Sequence, residues 1–388
     1  MKFIKQIIKF FRICLEFWLP FKSNTYKFAF IVHPRSIKDA YREFSFFKKL
    51  PQNVVIKLIN KLPPLIVSKI TGLKSQQNNV SVDGCMVSIN LFPEEMLNNR
   101  ELAIKKIIKA IKISQRRGVK IVGLGGLTSS VIRGGIDLLD KIYNIHLTTG
   151  HAYTAYNIIA ILNIILNEKL KLPINKIKIA IVGAAGSIGS SCAQLLARDG
   201  IKELLLMDIQ RKLERINNLL LPKLKEINKN LKIAISSDLN LLKNEYFIIT
   251  ATNSPEALIH NHHLSNGTII LDDAQPSDVH PEVIENDNVL VIEAGLVHTP
   301  NIKTHFNFGF KDKYDNYSCL AEILVLASID YKDHFVVHRA NLEAIDKIKE
   351  WSKNLGFRPA EFQNQERVIG EEKIERVINL LAKRLLSF

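Results

Sequence analysis

The chain has 388 residues, 47% of them apolar, which is enough to build the cores of two domains. Its 53 Lys and Arg residues exceed the 38 Asp and Glu residues by 53 − 38 = 15, a balance that favours an acidic partner or surface. The four cysteines, Cys14, Cys85, Cys192 and Cys319, share no short spacing, so we expect no disulfide framework, no metal site and a reducing, cytoplasmic setting.

Residues 1–27 are predicted to form an amphipathic basic tail. Its apolar run is interrupted every three or four residues, at Lys2, Lys5, Lys9, Arg12 and Glu16. These charges argue against an export signal and against a spanning helix. Two placements stay open: the tail docks on the protein itself or on a second subunit, or it lies in the interface of the inner membrane surface.

Residues 28–165 are predicted to form the first part of one α/β domain. A short apolar strand at 27–32 ends in His33-Pro34, and helical patterns follow at 37–50 and 93–118. Two turns rich in Gly and Thr come next, at 123–129 and 148–150. They place small polar groups and bare backbone where a ligand could approach.

Residues 166–314 change to short β-rich runs that alternate with helices. The predicted strands are 177–182, 203–207, 231–235, 246–250, 268–271 and 289–292. Such alternation is typical of a parallel sheet with right-handed crossovers. Residues 315–388 turn helical again, so the parallel-sheet domain is predicted to be inserted in a second α/β domain that residues 315–388 complete.

A glycine turn follows the first of these strands and leads directly into a helix. It consists of Gly183, Ala184, Ala185, Gly186, Ser187, Ile188 and Gly189. The first glycine permits a tight turn, the second lets backbone N–H groups approach a pyrophosphate, and the third lets the helix pack close to the strand. The strand, turn and helix in this order predict a Rossmann dinucleotide-binding domain.

The choice of dinucleotide stays open at this stage. Asp208, at the end of the second strand, is placed to hold a ribose 2′-OH, which favours NAD. Arg211 and Lys212, which follow closely, could bind the 2′-phosphate of NADP if Asp208 points away. Ala251 and Thr252, after the fourth strand, are small residues suited to a close pass by the nicotinamide half, although a plain turn explains them equally well.

Cys319 is the candidate nucleophile because it lies at the predicted start of an apolar helix. A helix N-terminus lowers the pKa of a thiol and favours the thiolate. A small core residue is the competing interpretation, and we prefer that packing role for Cys85 and Cys192. Glu322, one turn after Cys319, could assist proton transfer, but a surface or capping role is the simpler interpretation.

Several motifs together resemble the long-chain acyl-(acyl carrier protein) reductases over roughly residues 28–359. They are FAFIVHPRSIKDAYRE, LFPEEML, GLGGLTSS, LTTG with TAY, IAIVGAAGSIGS, YSCLAEILVL and NLGFRP. The resemblance implies a Rossmann domain beside an acyl-binding domain, and reduction of a fatty acyl thioester to the aldehyde with NADPH, with NADH as the other option. It also implies that Cys319 is the residue that becomes acylated.

Further site residues follow from the same resemblance. Thr128, Ser129, Thr149 and Tyr156 fall in the matching motifs and are candidates for holding the carbonyl oxygen or the acyl chain. Acyl carrier protein or acyl-CoA is the implied partner, and the net charge of +15 would suit an acidic carrier. The chain departs from the family pattern at Asp208, which leaves the cofactor preference open.

Two other functions remain to be distinguished. The first is a dehydrogenase of the shikimate or amino-acid type, which needs no cysteine. The second is a membrane-surface protein that senses a dinucleotide without turnover. Nucleic-acid binding is not expected, because the basic residues are scattered and no recognition module is present.

Overall fold

A computed structural model describes Gln6, Phe10 and residues 26–386 of the chain. The chain divides into two compact units. Unit 1 consists of Met1–Gly150, Thr299–His338 and Glu350–Phe357, and unit 2 of His151–His298, Arg339–Lys349 and Arg358–Phe388.

The core of unit 1 is a five-stranded sheet. Its strands are β1 (Phe28–Val32), β2 (Leu65–Ile70), β3 (Gly84–Ser88), β4 (Ile121–Leu124) and β5 (His146–Thr148), in the spatial order β2-β3-β1-β4-β5. Only the β2–β3 pair of this sheet is antiparallel. The carboxyl ends of β1, β3, β4 and β5 therefore lie along one edge, and the Gly-rich and Thr-rich turns follow β4 and β5 there.

Helices cover this sheet. In the described residues of unit 1 they are Ile37–Glu43, Gln52–Lys61, Pro93–Asn98, Arg100–Arg116, Leu127–Val131 and Ser318–Ser328. The last of these is buried along its length except at Cys319, and it packs on β1 and β4. A Cβ added to Gly123 in β4 would lie 2.9 Å from the Cβ of Ile323, so glycine at this position admits the helix.

Unit 2 contains a six-stranded, all-parallel sheet. Its strands are β6 (Lys178–Val182), β7 (Glu203–Met207), β8 (Lys232–Ser236), β9 (Phe247–Thr250), β10 (Ile269–Asp272) and β11 (Leu290–Glu293), in the spatial order β11-β10-β9-β6-β7-β8. This is the strand order of a Rossmann fold. The predicted fold class is confirmed, and the strand bounds agree with the predicted ones to within one residue.

The helices of unit 2 lie among and after these strands. The longer ones are His151–Ile164, Ser187–Arg198, Leu221–Ile227 and Glu371–Leu386, together with Leu342–Ser352, whose residues 350–352 are assigned to unit 1. The first ends in a π-helical segment, Ile165–Leu170. Short antiparallel pairs complete the unit: Leu296–His298 with Arg358–Pro359, and Gln363–Asn364 with Arg367–Val368.

The C-terminal helix differs in location from the predicted division of the chain. The sequence assigns residues 315–388 to the domain that 28–165 begins, but Glu371–Leu386 lies in unit 2. It buries an apolar stripe that includes Ile374, Val377 and Leu381. Gly267, with a φ of +85°, lets Leu381 approach closely, since a Cβ there would lie 2.8 Å from the Leu381 nitrogen.

The N-terminal tail is described only at two residues. Gln6 accepts hydrogen bonds from the backbone N–H and the hydroxyl of Ser45, and the Phe10 ring meets the edges of the Phe44 and Phe47 rings at 5.1 and 5.6 Å. At these two positions the tail contacts unit 1, which was one of its two predicted placements. The remaining positions of the predicted tail, apart from 26 and 27, lie outside the described residues. None of the helices described combines the length and the hydropathy needed to cross a membrane.

Candidate functional site

The glycine turn, residues 183–189, begins directly after β6. Gly183 has a φ of +88°, and a Cβ there would lie 2.6 Å from the carbonyl oxygen of Ala251. A Cβ at Gly189 would collide with the carbonyl oxygen of Gly183. Glycine is therefore required at both ends of the turn, because the helix Ser187–Arg198 starts in contact with the strand that precedes it.

The N-terminus of this helix is open to a ligand. Its N-cap is Gly186, and no side chain caps the first-turn N–H groups. Such uncapped N–H groups, together with the helix dipole, bind phosphate. The described residues therefore fit a dinucleotide pyrophosphate. The glycines and the uncapped N–H groups all belong to unit 2.

The structure brings the other predicted cofactor residues to this turn. Ala184 and Ala185 are buried, while Ser187 and Ile188 are partly exposed on the first helical turn. Ala251 and Thr252, which follow β9, both lie against Gly183, with Thr252 Cγ2 3.1 Å from the position of the missing Cβ. Parallel strands end at the same edge of the sheet, which explains why residues almost 70 positions apart meet here.

Asp208 is held by the glycine turn itself. Its carboxylate accepts the N–H of Ala185 at 3.1 Å and that of Ile209 at 2.9 Å, and Lys212 Nζ lies 3.4 Å away. Only 5% of the Asp208 side chain is exposed, whereas Arg211 is exposed. Asp208 thus stabilises the turn through its hydrogen bond with Ala185, and Lys212 partly balances its negative charge. Arg211 lies nearby at the surface.

Arg339 is a residue of this site that the sequence did not reveal. Its Nη2 donates to the carbonyl oxygen of Ala185 at 2.6 Å, and its Nη1 lies 3.5 Å from Ser190 Oγ. Burial, with Arg215 nearby, lowers the pKa of Arg339 to about 10, so the side chain remains a cation at neutral pH. Arg339 lies in an irregular segment about 150 residues after the turn, and no pattern around it signals the contact.

Carboxyl groups collect at the ends of β9 and β10. The Thr252 hydroxyl and N–H both donate to Asp278, and Thr250 Oγ1 donates to Asp272 at 2.6 Å. Burial raises the pKa of Asp278 to about 7, with a further contribution from Asp272. Burial also raises the pKa of Asp273, next to Asp272, Glu293 and Asp278. The side chains around Thr252 are therefore acidic groups that resist ionisation.

Cys319 lies in unit 1, at the second residue of the helix Ser318–Ser328. The thiol is partly exposed, and no side chain caps the helix N-terminus beside it. Gly150, with a φ of +80°, packs directly on it: a Cβ at Gly150 would collide with Cα and Cβ of Cys319. Cys85 and Cys192 are buried instead, which raises the pKa of both thiols, to about 12 for Cys85. Cys319 is thus the described cysteine with the environment of a reactive thiol.

Glu322 holds the backbone against which Cys319 packs. It is completely buried, and it accepts the N–H of Gly150 at 2.9 Å and the hydroxyl of Thr148. The expected surface or capping role of Glu322 is wrong, because the carboxylate reaches from the helix to the end of β5. It therefore joins two segments that lie about 170 residues apart in the sequence.

The predicted substrate-binding residues fall into different environments. Thr149, between Thr148 and Gly150, is 1% exposed, and its Oγ1 has no hydrogen-bond partner among the described residues. Thr128 and Ser129 are also buried, but their hydroxyls donate to the carbonyls of Gly125 and Gly126 at 2.7 and 3.1 Å. Of these three hydroxyls, the one on Thr149 is thus the one without a hydrogen bond in the described part of the chain.

Tyr156 belongs to unit 2 and is half-buried. Its ring packs edge-on against Tyr153 at 5.6 Å, and Lys349 Nζ lies 5.8 Å from the ring centre. Burial raises the pKa of the phenol. The hydroxyl therefore remains protonated at neutral pH and can act as a hydrogen-bond donor.

The turn after β4 is filled by side chains. A Cβ at Gly125 would lie 2.5 Å from the Phe30 ring, and one at Gly126 would lie 2.9 Å from His33 Nε2. His33 Nε2 accepts the N–H of Leu127 at 3.2 Å, and burial lowers the pKa of the ring. These glycines thus allow close packing. Phe30 and His33 occupy the space in which a ligand was predicted to approach this turn.

A second residue set that the sequence did not assign lies before Cys319. Arg35 donates to the Tyr317 hydroxyl, to Asp39 at 2.7 Å and to the carbonyl oxygen of Phe308 at 2.8 Å. Tyr317 is the N-cap residue of the helix that carries Cys319. Arg35 therefore fixes the entry of the chain into this helix.

A family model described as shikimate/quinate 5-dehydrogenase matches residues 165–295. This range contains all six strands of the parallel sheet in unit 2 and the whole glycine turn. The match thus covers the Rossmann part of the chain.

Two curated proteins are similar over most of the chain. The aminotransferase PigE of a Serratia species is 26% identical over 348 residues, 85% of this chain and 39% of that protein. The long-chain acyl-[acyl-carrier-protein] reductase of Synechococcus elongatus is 25% identical over 351 residues, 86% of this chain and 98% of that protein. The chain therefore spans well under half of the Serratia protein and nearly all of the Synechococcus protein.

Among solved structures, L-tryptophan dehydrogenase from Nostoc punctiforme aligns with 94% of this chain and 90% of its own, at 10% identity and a TM-score of 0.37. At that score the likeness carries no inference about function. The parallel sheet, the glycine turn and the family match together show a Rossmann-type dinucleotide-binding fold. The family model and the Synechococcus protein are described as a dehydrogenase and a reductase, both of them oxidoreductases.

Proposed function

We propose that this chain reduces a long-chain fatty acyl thioester, bound to acyl carrier protein or CoA, to the fatty aldehyde through an acyl-enzyme at Cys319. The observation that carries the proposal is the environment of Cys319. The thiol is partly exposed at an uncapped helix N-terminus, and it packs on a glycine that a buried carboxylate holds in place. Similarity to the Synechococcus reductase over 86% of the chain supports the choice of reaction.

The first half of the reaction requires a thiolate and a place for the developing oxyanion. Sγ of Cys319 attacks the carbonyl carbon of the thioester, the bond from that carbon to the carrier sulfur breaks, and the carrier leaves as a thiol. The helix N-terminus favours the thiolate. Thr149 Oγ1, buried and without a partner among the described residues, is the candidate donor to the carbonyl oxygen.

The second half would use a dinucleotide as reductant: when bound, its nicotinamide would supply the hydride that reduces the acyl-enzyme. The hemithioacetal at Cys319 then collapses: its carbon–sulfur bond breaks, the aldehyde leaves, and Sγ returns to the thiolate. Acyl thioester, NAD(P)H and one proton are thereby converted to aldehyde, carrier thiol and NAD(P)⁺.

The residues that would hold the dinucleotide all belong to unit 2. The uncapped N–H groups after Gly186 would bind the pyrophosphate, and Arg339 would add a positive charge beside them. We propose NADPH as the preferred cofactor. Asp208 is occupied by the N–H of Ala185 and neighboured by Lys212, and exposed Arg211 can bind a 2′-phosphate.

The partner is proposed from charge. A net charge of +15 would attract an acidic carrier protein and raise the rate of its association at low salt. Acyl-CoA is the alternative donor, and its phosphates would respond to the same charge. A membrane contact through residues 1–27 remains a prediction from the sequence.

Intact-mass spectrometry tests this function. The protein is incubated with palmitoyl-carrier protein without dinucleotide, and NADPH or NADH is then added in parallel. We expect a single palmitoyl adduct that is discharged as aldehyde faster with NADPH. Cys319→Ser should lose the adduct and all but about a thousandth of the reductase activity.

Cys85→Ala is the matched control, because this thiol is buried in the core of the same unit. The control should keep both the adduct and the activity. A folded wild-type protein that forms no adduct, or a Cys319→Ser variant that keeps full activity, would contradict the covalent mechanism.

A second candidate is a dehydrogenase of the shikimate type without a covalent intermediate. The match of residues 165–295 to the shikimate/quinate dehydrogenase model favours it. Oxidation of a small hydroxy acid by the purified protein, at a rate that Cys319→Ser does not change, would support this candidate over the thioester reductase.

A further inference from the structure

Histidines collect in one surface patch of unit 2. Four of the eleven histidines of the chain lie there, and Glu282 accompanies them. They are His260, His262, His263 and His280. A parallel bridge between Ile259 and Val279 brings the two parts of the patch together. Neither the dinucleotide turn nor Cys319 uses these side chains.

Three of the groups have the spacing of metal ligands. Glu282 Oε1 lies 3.2 Å from His260 Nδ1 and 3.7 Å from His280 Nδ1, and the three ligand atoms all fall within 4.8 Å of one another. Zinc bonds of about 2.1 Å in tetrahedral geometry place neighbouring ligand atoms about 3.4 Å apart. The two measured distances lie on either side of that value.

Contacts around the three side chains hold them in place. The His260 and His280 rings are stacked with centroids 4.6 Å apart, and the backbone N–H of His260 donates to His263 Nδ1 at 3.1 Å. His280 Nδ1 accepts the N–H of Glu282 at 3.4 Å, a long hydrogen bond that an ion bound at Nδ1 would replace.

The side chains are also accessible. His260, His280 and Glu282 are 35%, 42% and 44% exposed, so an ion can enter from solvent and water can fill a fourth position. Two imidazoles and one carboxylate suit borderline ions such as Zn²⁺, Co²⁺ and Ni²⁺, whereas Mg²⁺ and Ca²⁺ prefer oxygen ligands alone.

We propose that His260, His280 and Glu282 form a surface binding site for a divalent transition-metal ion of the zinc class. The proposal does not depend on the proposed thioester reduction. The ion would join the segment after Ile259 to the start of the helix Pro281–Ile284 and thereby close the stretch of chain between them.

Backbone hydrogen bonds connect the proposed metal site to the segment that carries Asp278. The N–H groups of Leu258 and Ile259 both donate to the carbonyl oxygen of Asp278, at 2.7 and 2.9 Å, and the N–H of His280 donates to Ile259 at 2.9 Å. Asp278 in turn holds Thr252 beside the glycine turn. A bound ion therefore stabilises the segment that carries Asp278, and unit 2 should unfold at a higher temperature.

Titration of the full, tag-free, chelator-treated chain with Co²⁺ and Zn²⁺ tests the site. We expect one equivalent of Co²⁺ to give visible absorption of a tetrahedral or five-coordinate ion, without the charge-transfer band that a cysteine ligand would add. Zn²⁺ should displace Co²⁺, and saturating Zn²⁺ should raise the thermal midpoint. The double variant His260→Gln, His280→Gln should lose the absorption and the rise in midpoint.

His305→Asn is the control, because this exposed histidine lies in unit 1, where it contacts Thr71. It should bind the ion as the wild type does. Glu282→Gln keeps the size of the side chain and should weaken Co²⁺ binding at least tenfold. Stoichiometric binding that survives in the double variant, or a wild-type chain that binds no ion, would overturn the proposal.

Discussion

The glycine turn of unit 2 and the Cys319 site of unit 1 each depend on a glycine against which another segment packs directly. In the turn, the constraint is local: a Cβ at Gly189 would collide with Gly183, six residues earlier. At the Cys319 site, Gly150 meets a cysteine about 170 residues later, and buried Glu322 joins the two segments. A constraint between neighbouring residues can be recognised in the sequence as a motif. A constraint between distant segments can be recognised only in the folded structure.

Because the two glycines lie at different sites, we expect alanine at Gly150 to impair acylation and alanine at Gly189 to impair dinucleotide binding. Gly150→Ala places a methyl group on Cys319 at a φ of +80° and should slow acylation by about 100-fold, because the thiol is displaced, while dinucleotide binding persists. Gly189→Ala should abolish dinucleotide binding, because the helix can no longer start against Gly183, while acylation persists. Intact-mass acylation and dinucleotide fluorescence titration measure the two effects.

Gly370→Ala is the matched control, since no atom lies within 4 Å of the added methyl group. It should leave both readouts unchanged. If either of the other two variants loses acylation and dinucleotide binding together while remaining folded, the two sites are not separable in the way the contacts indicate.

Substitution of Glu322 should have the next largest effect. Glu322→Ala leaves the N–H of Gly150 without its acceptor in a buried place, and should cost about 3 kcal/mol of stability and slow acylation about 100-fold. Glu322→Gln keeps an acceptor oxygen and should slow acylation only about tenfold. Acylation rates measured from pH 6 to 9 distinguish two explanations: a displaced thiol lowers the rate at every pH, whereas a changed thiol pKa shifts the pH profile.

Glu350→Gln, an exposed substitution in the same unit, serves as the control and should change neither stability nor rate. Equal rates for Glu322→Gln, Glu322→Ala and the wild type would show that Glu322 does not position Gly150 and Cys319.

Much of unit 2 could be predicted from sequence, because its information is local. Each strand of the parallel sheet is an apolar run between turn signals, and the glycine turn marks the phosphate end. In unit 1, β2, β3 and the helix Gln52–Lys61 were not predicted, although Val55 and Ile59 of this helix are buried at helical spacing. The helical pattern at 93–118 was predicted as one element, but it breaks at Asn99, whose side chain caps the second helix.

The candidate sites divide in the same way. The residues of the glycine turn and Asp208 could be located because spacing along the chain determines their positions. Arg339, Arg35 and the acceptor role of Glu322 could not, because each acts on a partner more than 150 residues away. The hydroxyls of Thr128 and Thr149 look alike in sequence, and only their hydrogen bonds separate them.

Arg339 offers a smaller test on the unit 2 side. Arg339→Gln removes a positive charge beside the turn and should weaken NADPH binding about tenfold, while acylation without dinucleotide stays unchanged. Arg339→Lys should recover part of the affinity. Arg376→Gln, an exposed substitution, is the control. Unchanged NADPH affinity in Arg339→Gln would remove Arg339 from the cofactor site.

The smallest expected effect concerns the cluster of carboxyl groups near Thr252, whereas near Cys319 the buried carboxylate of Glu322 accepts hydrogen bonds from Thr148 and Gly150. Burial, with Asp272, Glu293 and Asp278 close by, raises the pKa of Asp273 in the folded state above its unfolded value. The folded state then binds more protons than the unfolded state, so the contribution of Asp273 to stability is complete below about pH 4 and is lost as the pH rises through the folded pKa. Asp273→Asn cannot ionise, and its gain over the wild type should grow with pH to about 1 kcal/mol at pH 8. Urea unfolding at pH 5 and pH 8 measures this difference in stability. The exposed substitution Asp140→Asn is the control and should produce no pH-dependent gain. A gain for Asp273→Asn that is the same at both pH values would show that Asp273 does not have a raised pKa in the folded state.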